Sequence, residues 1–200
     1  MMKIIIVGAS GTIGKPVSDE LSKRHEVIRV GSKSGDIQMD MTSVDSIQKM
    51  YEAVGEFDAL VVAAGSATMK PLQELANDDF YVGIKSKMMG QVNLVLEGQK
   101  RINPKGSFTL ITGILADDPV HGSVTLSTVN GAVNAFVKAT ARELDNGVRI
   151  NVVSPGLVEE SAEALGSYFP GHTPVSMHRV VDGFVKSVEG IGTGEVIRLH

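Results

Sequence analysis

The 200-residue chain contains no cysteine and no tryptophan. Without thiols there is no disulfide framework, so stability has to come from a packed core. Aromatic residues are also scarce, at 4%, too few for an aromatic-rich binding module. Positive charge is in deficit, 19 Lys and Arg against 23 Asp and Glu for a formal charge of -4. No stretch clusters the basic residues, which argues against a nucleic-acid partner or an anionic membrane surface. Long apolar runs are missing as well. The opening M-M-K-I-I-I-V turns at Gly8, leaving a run too short for a signal sequence or a membrane span. None of the five histidines forms a pair at metal-ligand spacing, so no catalytic metal is expected. The expectation is a cytoplasmic protein.

Glycine, by contrast, is abundant at 22 residues, and apolar residues make up 42%. A chain of this length can bury one substantial core but hardly two, which predicts a single domain over 1–200. Apolar patterning alternates along it. Strand-like runs at 3–7, 26–30, 59–64, 107–112, 148–153 and 195–199, with a short extended piece at 36–40, are separated by helical spacing at 13–24, 44–54, 71–82, 84–99, 123–144 and 176–188. Residues 154–174, rich in Gly, Pro and Ser, read as irregular. Repeated strand–helix units of this kind predict an α/β fold with a doubly wound parallel sheet of about seven strands, whose ligands bind at the carboxyl ends of the strands.

The first such end carries V-G-A-S-G-T-I-G. Gly8 would allow a tight turn, Gly11 would admit a pyrophosphate against the backbone, and Gly14 would let helix and strand pack closely. Ser10 and Ile13 belong to the same turn, whose amides and helix end would face the anion. The alternative is a glycine-rich turn with no ligand. The second strand runs into V-G-S-K-S, with no carboxylate before Asp36 to hold a ribose 2'-hydroxyl. Ser32, Lys33 and Ser34 offer donors and a positive charge instead, which favours NADP over NAD, unless they form only a solvated turn.

Taken in order, G-A-S-G-T-I-G from Gly8, Asp40, V-A-A-G from Val62, N-V-V-S-P-G from Asn151 and T-G-E-V from Thr193 resemble the short-chain dehydrogenase/reductase family across nearly the whole chain. The resemblance implies a seven-stranded Rossmann sheet. It places Asp40 and Met41 beside the adenine, Ala63, Ala64 and Gly65 along the adenosine ribose, and Pro155, Gly156 and Val158 beside the nicotinamide. It also implies a small-molecule carbonyl or alcohol substrate and a homodimer or homotetramer, paired through the helices at 84–99 and 123–144.

The same alignment exposes a departure. Members of the family carry Tyr-x-x-x-Lys on the helix before N-V-V-S-P-G, and here those positions are Leu126 and Asn130. Leucine cannot donate a proton, and losing a positioned general acid costs on the order of 10²- to 10⁴-fold in rate. The family's serine position falls on Gly113, with Thr112 beside it. Its supporting asparagine position falls on Lys87, in S-K-M-M-G, so lysine and asparagine are exchanged between the two helices. Lys87, Asn130 and Thr112 would rebuild part of the polar site, unless Lys87, close to Lys85, is a surface charge. His121, in D-D-P-V-H-G, is a further candidate acid, and Tyr168 a candidate lid residue. Two functional classes follow: an NADP-dependent oxidoreductase transferring a hydride, or an NADP-binding regulatory or interaction protein that has lost the chemistry.

Overall fold

Ile4, Ile5, Ile6 and Val7 are all buried, and a strand can bury consecutive side chains only if both of its faces are covered. The computed structural model, which describes all 200 residues, shows how. This first strand, β1 (Lys3–Val7), lies near the middle of a sheet with β2 (Glu26–Gly31), β3 (Ile37–Gln38), β4 (Phe57–Val62), β5 (Ile102–Ile111), β6 (Arg149–Pro155) and β7 (Val196–Leu199). The order is β3-β2-β1-β4-β5-β6-β7, and every pairing is parallel. Chain order reverses between β1 and β4, the switch point that opens a crevice at the carboxyl ends of the strands.

Alternate residues feed separate cores. Ile5, Val7, Leu60 and Val62 face one layer, built on α2 (Val44–Val54), α4 (Met89–Gly98) and α5 (Val124–Thr140). Ile4, Ile6, Ala59 and Val61 face the other, built on α1 (Gly14–Leu21) and α7 (Met177–Glu189). Each layer completes the burial that the other face began, so the sheet cannot exist without both.

Most expected elements are present, and the differences have local causes. The stretch read as a helix at 71–82 is split: one 3₁₀ turn at Leu72–Glu74, then α3 (Asn77–Gly83). Its N-terminus is set by the Asp79 carboxylate, which accepts the Ala76 amide at 2.9 Å and the Lys70 ammonium at 3.0 Å. The helix at 44–54 begins where the Ser43 hydroxyl accepts the Ser46 amide. Residues 159–174, read as irregular, contain α6 (Glu159–Leu165) and a 3₁₀ turn, pinned at their base by a parallel bridge between Val158 and Val175. Gly and Pro punctuate that excursion without preventing a short helix between them. No helix is long and apolar enough to cross a membrane.

Candidate functional site

The glycine turn after β1 is held by close backbone packing. Gly8 has φ of +84°, and a Cβ there would sit 2.7 Å from the Ala63 carbonyl oxygen and 2.9 Å from the Ala64 Cβ. Gly14 packs directly on the Gly8 carbonyl, where a Cβ would collide. The Gly11 amide donates back to the Gly8 carbonyl at 3.0 Å, whereas the amides of Ser10, Thr12 and Ile13 take no backbone partner. Three free donors ahead of a helix form a concave anion seat. The seat opens into a cavity of about 360 Å³ lined by Gly8, Ser10, Gly11, Ser32, Asp40, Met41, Ala63, Ala64 and Gly65, together with Val7, Gly31, Met39, Thr42, Ser66 and Ser86.

At the far end of β2 the nearest carboxylate is withdrawn from this cavity. Asp36 closes the turn by accepting the Arg29 amide at 2.8 Å. Ser32 lines the cavity; Lys33 and Ser34 are exposed beside it, with the Ser34 hydroxyl donating to Ser10 at 3.2 Å. Asp40 accepts both the amide and the hydroxyl of Thr42 at 2.8 Å, and those hydrogen bonds, the backbone one foremost, lower its pKa below the ordinary carboxylate value.

Beyond Ile13 the cleft continues as a second cavity of about 200 Å³. Pro155, Gly156, Leu157 and Val158, from the end of β6, form one wall. Thr112 and Gly113, from the end of β5, form the floor. Leu126 and Asn130 project from α5, and Leu165 and Phe169 close it from the 159–174 excursion. The structure thus brings Lys87, Thr112 and Asn130 together, and it leaves Leu126 where a proton donor was sought. His121 is not among them. It is exposed, in a separate surface concavity with Asp118, Tyr168 and His172; its loop is tied at Gly122 to Lys70, whose amide donates to the Gly122 carbonyl at 2.9 Å. Tyr168 is half exposed in that same concavity, and its neighbour Phe169 is the aromatic side chain that reaches the cleft.

Lys87 reaches the cavity through a feature of the backbone. Residues Ile84–Met88 form a π turn that joins α3 to α4 in one continuous helical stretch. Such a turn holds one residue more than a regular one and shifts the phase of all that follows. Lys85 stays outside, 5.9 Å above the Tyr81 ring. Lys87 turns inward, 9% exposed, with its stem packed on Gly65: a Cβ at Gly65 would lie 3.0 Å from both Lys87 Cα and Cγ. Burial alone pulls the Lys87 pKa down to about 8, with no carboxylate to oppose it.

Two residues not foreseen from sequence hold this arrangement. Gln91, fully buried, donates to the Lys87 carbonyl at 2.8 Å and the Ile111 carbonyl at 3.0 Å, and accepts the Ile111 amide at 2.8 Å. The pairing of β4 with β5 ends at Val61 opposite Thr109, and the Gln91 amide takes the place of the next backbone partner. It thereby ties Lys87 to the strand end that carries Thr112. Asn134 accepts the Thr112 hydroxyl at 3.0 Å, which commits that proton and leaves the Thr112 oxygen as an acceptor toward the cavity. Asn130, 2% exposed, has a side-chain oxygen with no partner. A buried orphan acceptor costs about 1–3 kcal/mol, an imbalance that a bound polar group would relieve. Both omissions had a signal: Gln91 and Asn134 are polar residues one helical turn beyond Lys87 and Asn130, on the same inward faces.

A family model described as enoyl-(acyl carrier protein) reductase matches residues 12–180. The 3-oxoacyl-[acyl-carrier-protein] reductase FabG of Aquifex aeolicus is 26% identical over 169 residues, 81% of this chain and 66% of that protein. Cyclopentanol dehydrogenase of Comamonas testosteroni is 28% identical over 142 residues, 66% of this chain and 56% of that protein. The chain therefore spans about two thirds or less of these curated relatives. Among solved structures, the protein lin1944 from Listeria innocua is 49% identical, with full coverage of both chains and a TM-score of 0.98. A small-chain dehydrogenase in complex with NADPH shares the fold at 23% identity, covering 98% of this chain and 95% of that one, with a TM-score of 0.87. The glycine turn, the sheet order and the match over residues 12–180 make this chain a member of the short-chain dehydrogenase/reductase family.

Proposed function

We propose that the protein is an NADP(H)-dependent oxidoreductase that passes a hydride between the nicotinamide and a carbonyl or alcohol carbon of a small molecule. The observation that carries this reading is the two-part cleft. A cavity lined by backbone and small polar groups adjoins, at Ile13 and Lys87, a mainly apolar one holding Lys87, Thr112 and Asn130. The residues fit the nucleotide in kind. The free amides of Ser10, Thr12 and Ile13 would take the diphosphate, and Gly8, which has no room for a side chain against Ala63 and Ala64, holds the turn in the shape that presents them. Ser32, Lys33 and Ser34 would take the 2'-phosphate, since Asp36 is turned away to the Arg29 amide. Asp40, Met41, Ala63, Ala64 and Gly65 would border the adenosine, and Pro155, Gly156 and Val158 the nicotinamide. When bound, the nicotinamide supplies or accepts the hydride at its C4 carbon.

Around that carbon the chain's own side chains would act on the substrate oxygen. Lys87 is the ionisable group in reach and would hold or release the proton. The Asn130 amide and the Thr112 oxygen would fix the hydroxyl groups presented to them. Ile114, Leu115, Leu157, Leu165 and Phe169 give the site its apolar walls, which suits an uncharged substrate and excludes water from the reacting atoms. Leu126 favours a second reading, in which the pocket serves an NADP-binding regulatory or interaction protein. Turnover separates the two: NADPH oxidation with a panel of aldehydes and ketones supports the enzyme, whereas tight binding with the panel inert supports the sensor.

The nucleotide assignment has its own test. In a fluorescence titration, NADPH is expected to bind roughly tenfold or more tightly than NADH, the effect of one charge-assisted phosphate contact. The Gly11→Asp variant, whose carboxylate would face the diphosphate, should lose binding of both. Equal affinities would remove the NADP preference, and undiminished binding by the variant would remove the glycine turn from the site.

A further inference from the structure

Lys87 is the single titratable residue among the 15 that line the inner cavity. The elements packed around it bring no compensating charge to the cavity: the carboxylates of α6, Glu159, Glu160 and Glu163, are exposed on its outer side and do not line it. From the loop after β4 come Gly65 and Ser66. From β5 and its end come Ile111 and Thr112. From α5 come Val129 and Asn130, the only charged residue of that helix being Lys138 near its other end. On its own helical stretch, Lys85 and Tyr81 point outward. Asp40, the titratable residue of the outer cavity, belongs to the opposite part of the cleft. The ammonium is thus held at the inner end of the cleft by Gln91 on its carbonyl and Gly65 against its stem, with no anion beside it.

We propose that Lys87 selects the redox state of the nucleotide, its uncompensated ammonium favouring the neutral reduced nicotinamide over the cationic oxidised ring, so that the protein is loaded preferentially with the hydride-carrying form. The proposal rests on the assignment of the cleft to a nicotinamide nucleotide. Reduced and oxidised nucleotides share the adenosine, the 2'-phosphate and the diphosphate, so contacts with Ser10, Ser32 or Asp40 cancel in the ratio of their affinities. The nicotinamide ring differs, by one positive charge. In a desolvated cavity two like charges repel far more than in water. Binding of the oxidised form therefore expels a proton from Lys87, and its affinity must rise with pH as the amine becomes neutral; the reduced form, with an uncharged ring, should show little such dependence.

The experiment measures dissociation constants of NADP⁺ and NADPH by calorimetry and fluorescence between pH 7 and 9.5, on the unmodified protein and on Lys87→Met and Lys87→Arg variants. For the unmodified protein, the ratio of the NADP⁺ constant to the NADPH constant should fall roughly tenfold over that range, equivalent to about 1.4 kcal/mol. Lys87→Met should show a low ratio that does not change with pH. Lys87→Arg, which keeps its charge throughout, should show a high ratio that does not change either. A flat ratio in the unmodified protein, or a pH dependence that survives in Lys87→Met, overturns the proposal while leaving the nucleotide site intact. Failure of either nucleotide to bind the unmodified protein overturns the nucleotide assignment, and the proposal with it.

Discussion

Replacing Gly14 with alanine is expected to cost roughly 3 kcal/mol or more, in the range reserved for severe core lesions, and to lower the melting temperature by about 6–12 °C for a chain of this size. The reason is geometric. A single methyl group at Gly14 would overlap the Gly8 carbonyl oxygen, and neither atom can yield without moving β1 or α1. Both elements are anchored by fully buried residues, Ile4, Ile5 and Ile6 on the strand and Val17 and Leu21 on the helix. The turn between them would have to open, displacing the free amides of Ser10, Thr12 and Ile13. Differential scanning calorimetry checks the stability, and NADPH titration below the new transition checks the second consequence, a loss of binding larger than the loss of folded protein. A melting temperature within a degree or two of the original would show that α1 can slide away from β1, contrary to the packing described.

The second large effect is expected at Gln91. Its side chain completes three hydrogen bonds with backbone groups of Lys87 and Ile111, and leucine of similar volume would leave the Ile111 amide and carbonyl buried and unpaired and take a donor from the Lys87 carbonyl. At about 1–3 kcal/mol for each unsatisfied group, with some relaxation, Gln91→Leu should destabilise the protein by roughly 3–5 kcal/mol. Gln91→Glu distinguishes hydrogen bonding from packing. It keeps the acceptor for the Ile111 amide but sets a carboxylate against two carbonyls, which favours its protonated form and raises its pKa. A raised carboxyl pKa adds stability as pH falls, so the deficit of this variant should shrink between pH 8 and 5, the reverse of ordinary acid destabilisation. Chemical denaturation at the two pH values reads this directly. Equal deficits at both would mean that the clamp acts by shape alone.

The sheet was legible in the sequence because its strands are continuous apolar runs bounded by glycine turns, and two-sided burial leaves that mark without alternation. Gly8, Gly11 and Gly14 were legible from their spacing between strand and helix, and at Gly8 and Gly14 the backbone has no room for a side chain. Other features are set by tertiary geometry. A helical reading of 71–82 missed the break before Asn77, which depends on the ion pair and capping contact of Asp79 rather than on apolar period. The position of His121 depends on the course of a loop, and sequence spacing said only that it follows β5. Lys85 and Lys87 are two apart on one helical stretch and differ in fate, one solvated and one buried, so composition could not separate them. A regular helix already sets them on opposite faces, about 200° apart; which of the two faces inward depends on the phase of the stretch, and the π turn shifts that phase in a way a periodicity count does not see.

That departure works like a vernier between two rigid scales. The stretch before Gly83 must meet α5, the stretch after Met89 must seat on the sheet, and the supernumerary residue between them lets both fits hold while aiming one amine at the crevice. Excising a residue other than Lys87 from 84–88 would straighten the stretch into an unbroken helix and rotate its downstream portion by about 100°. A chain so shortened would have to choose between keeping α4 in its groove and keeping Lys87 indoors. The inner half of the crevice is therefore encoded in the length of a helix as much as in the identity of the side chains along it.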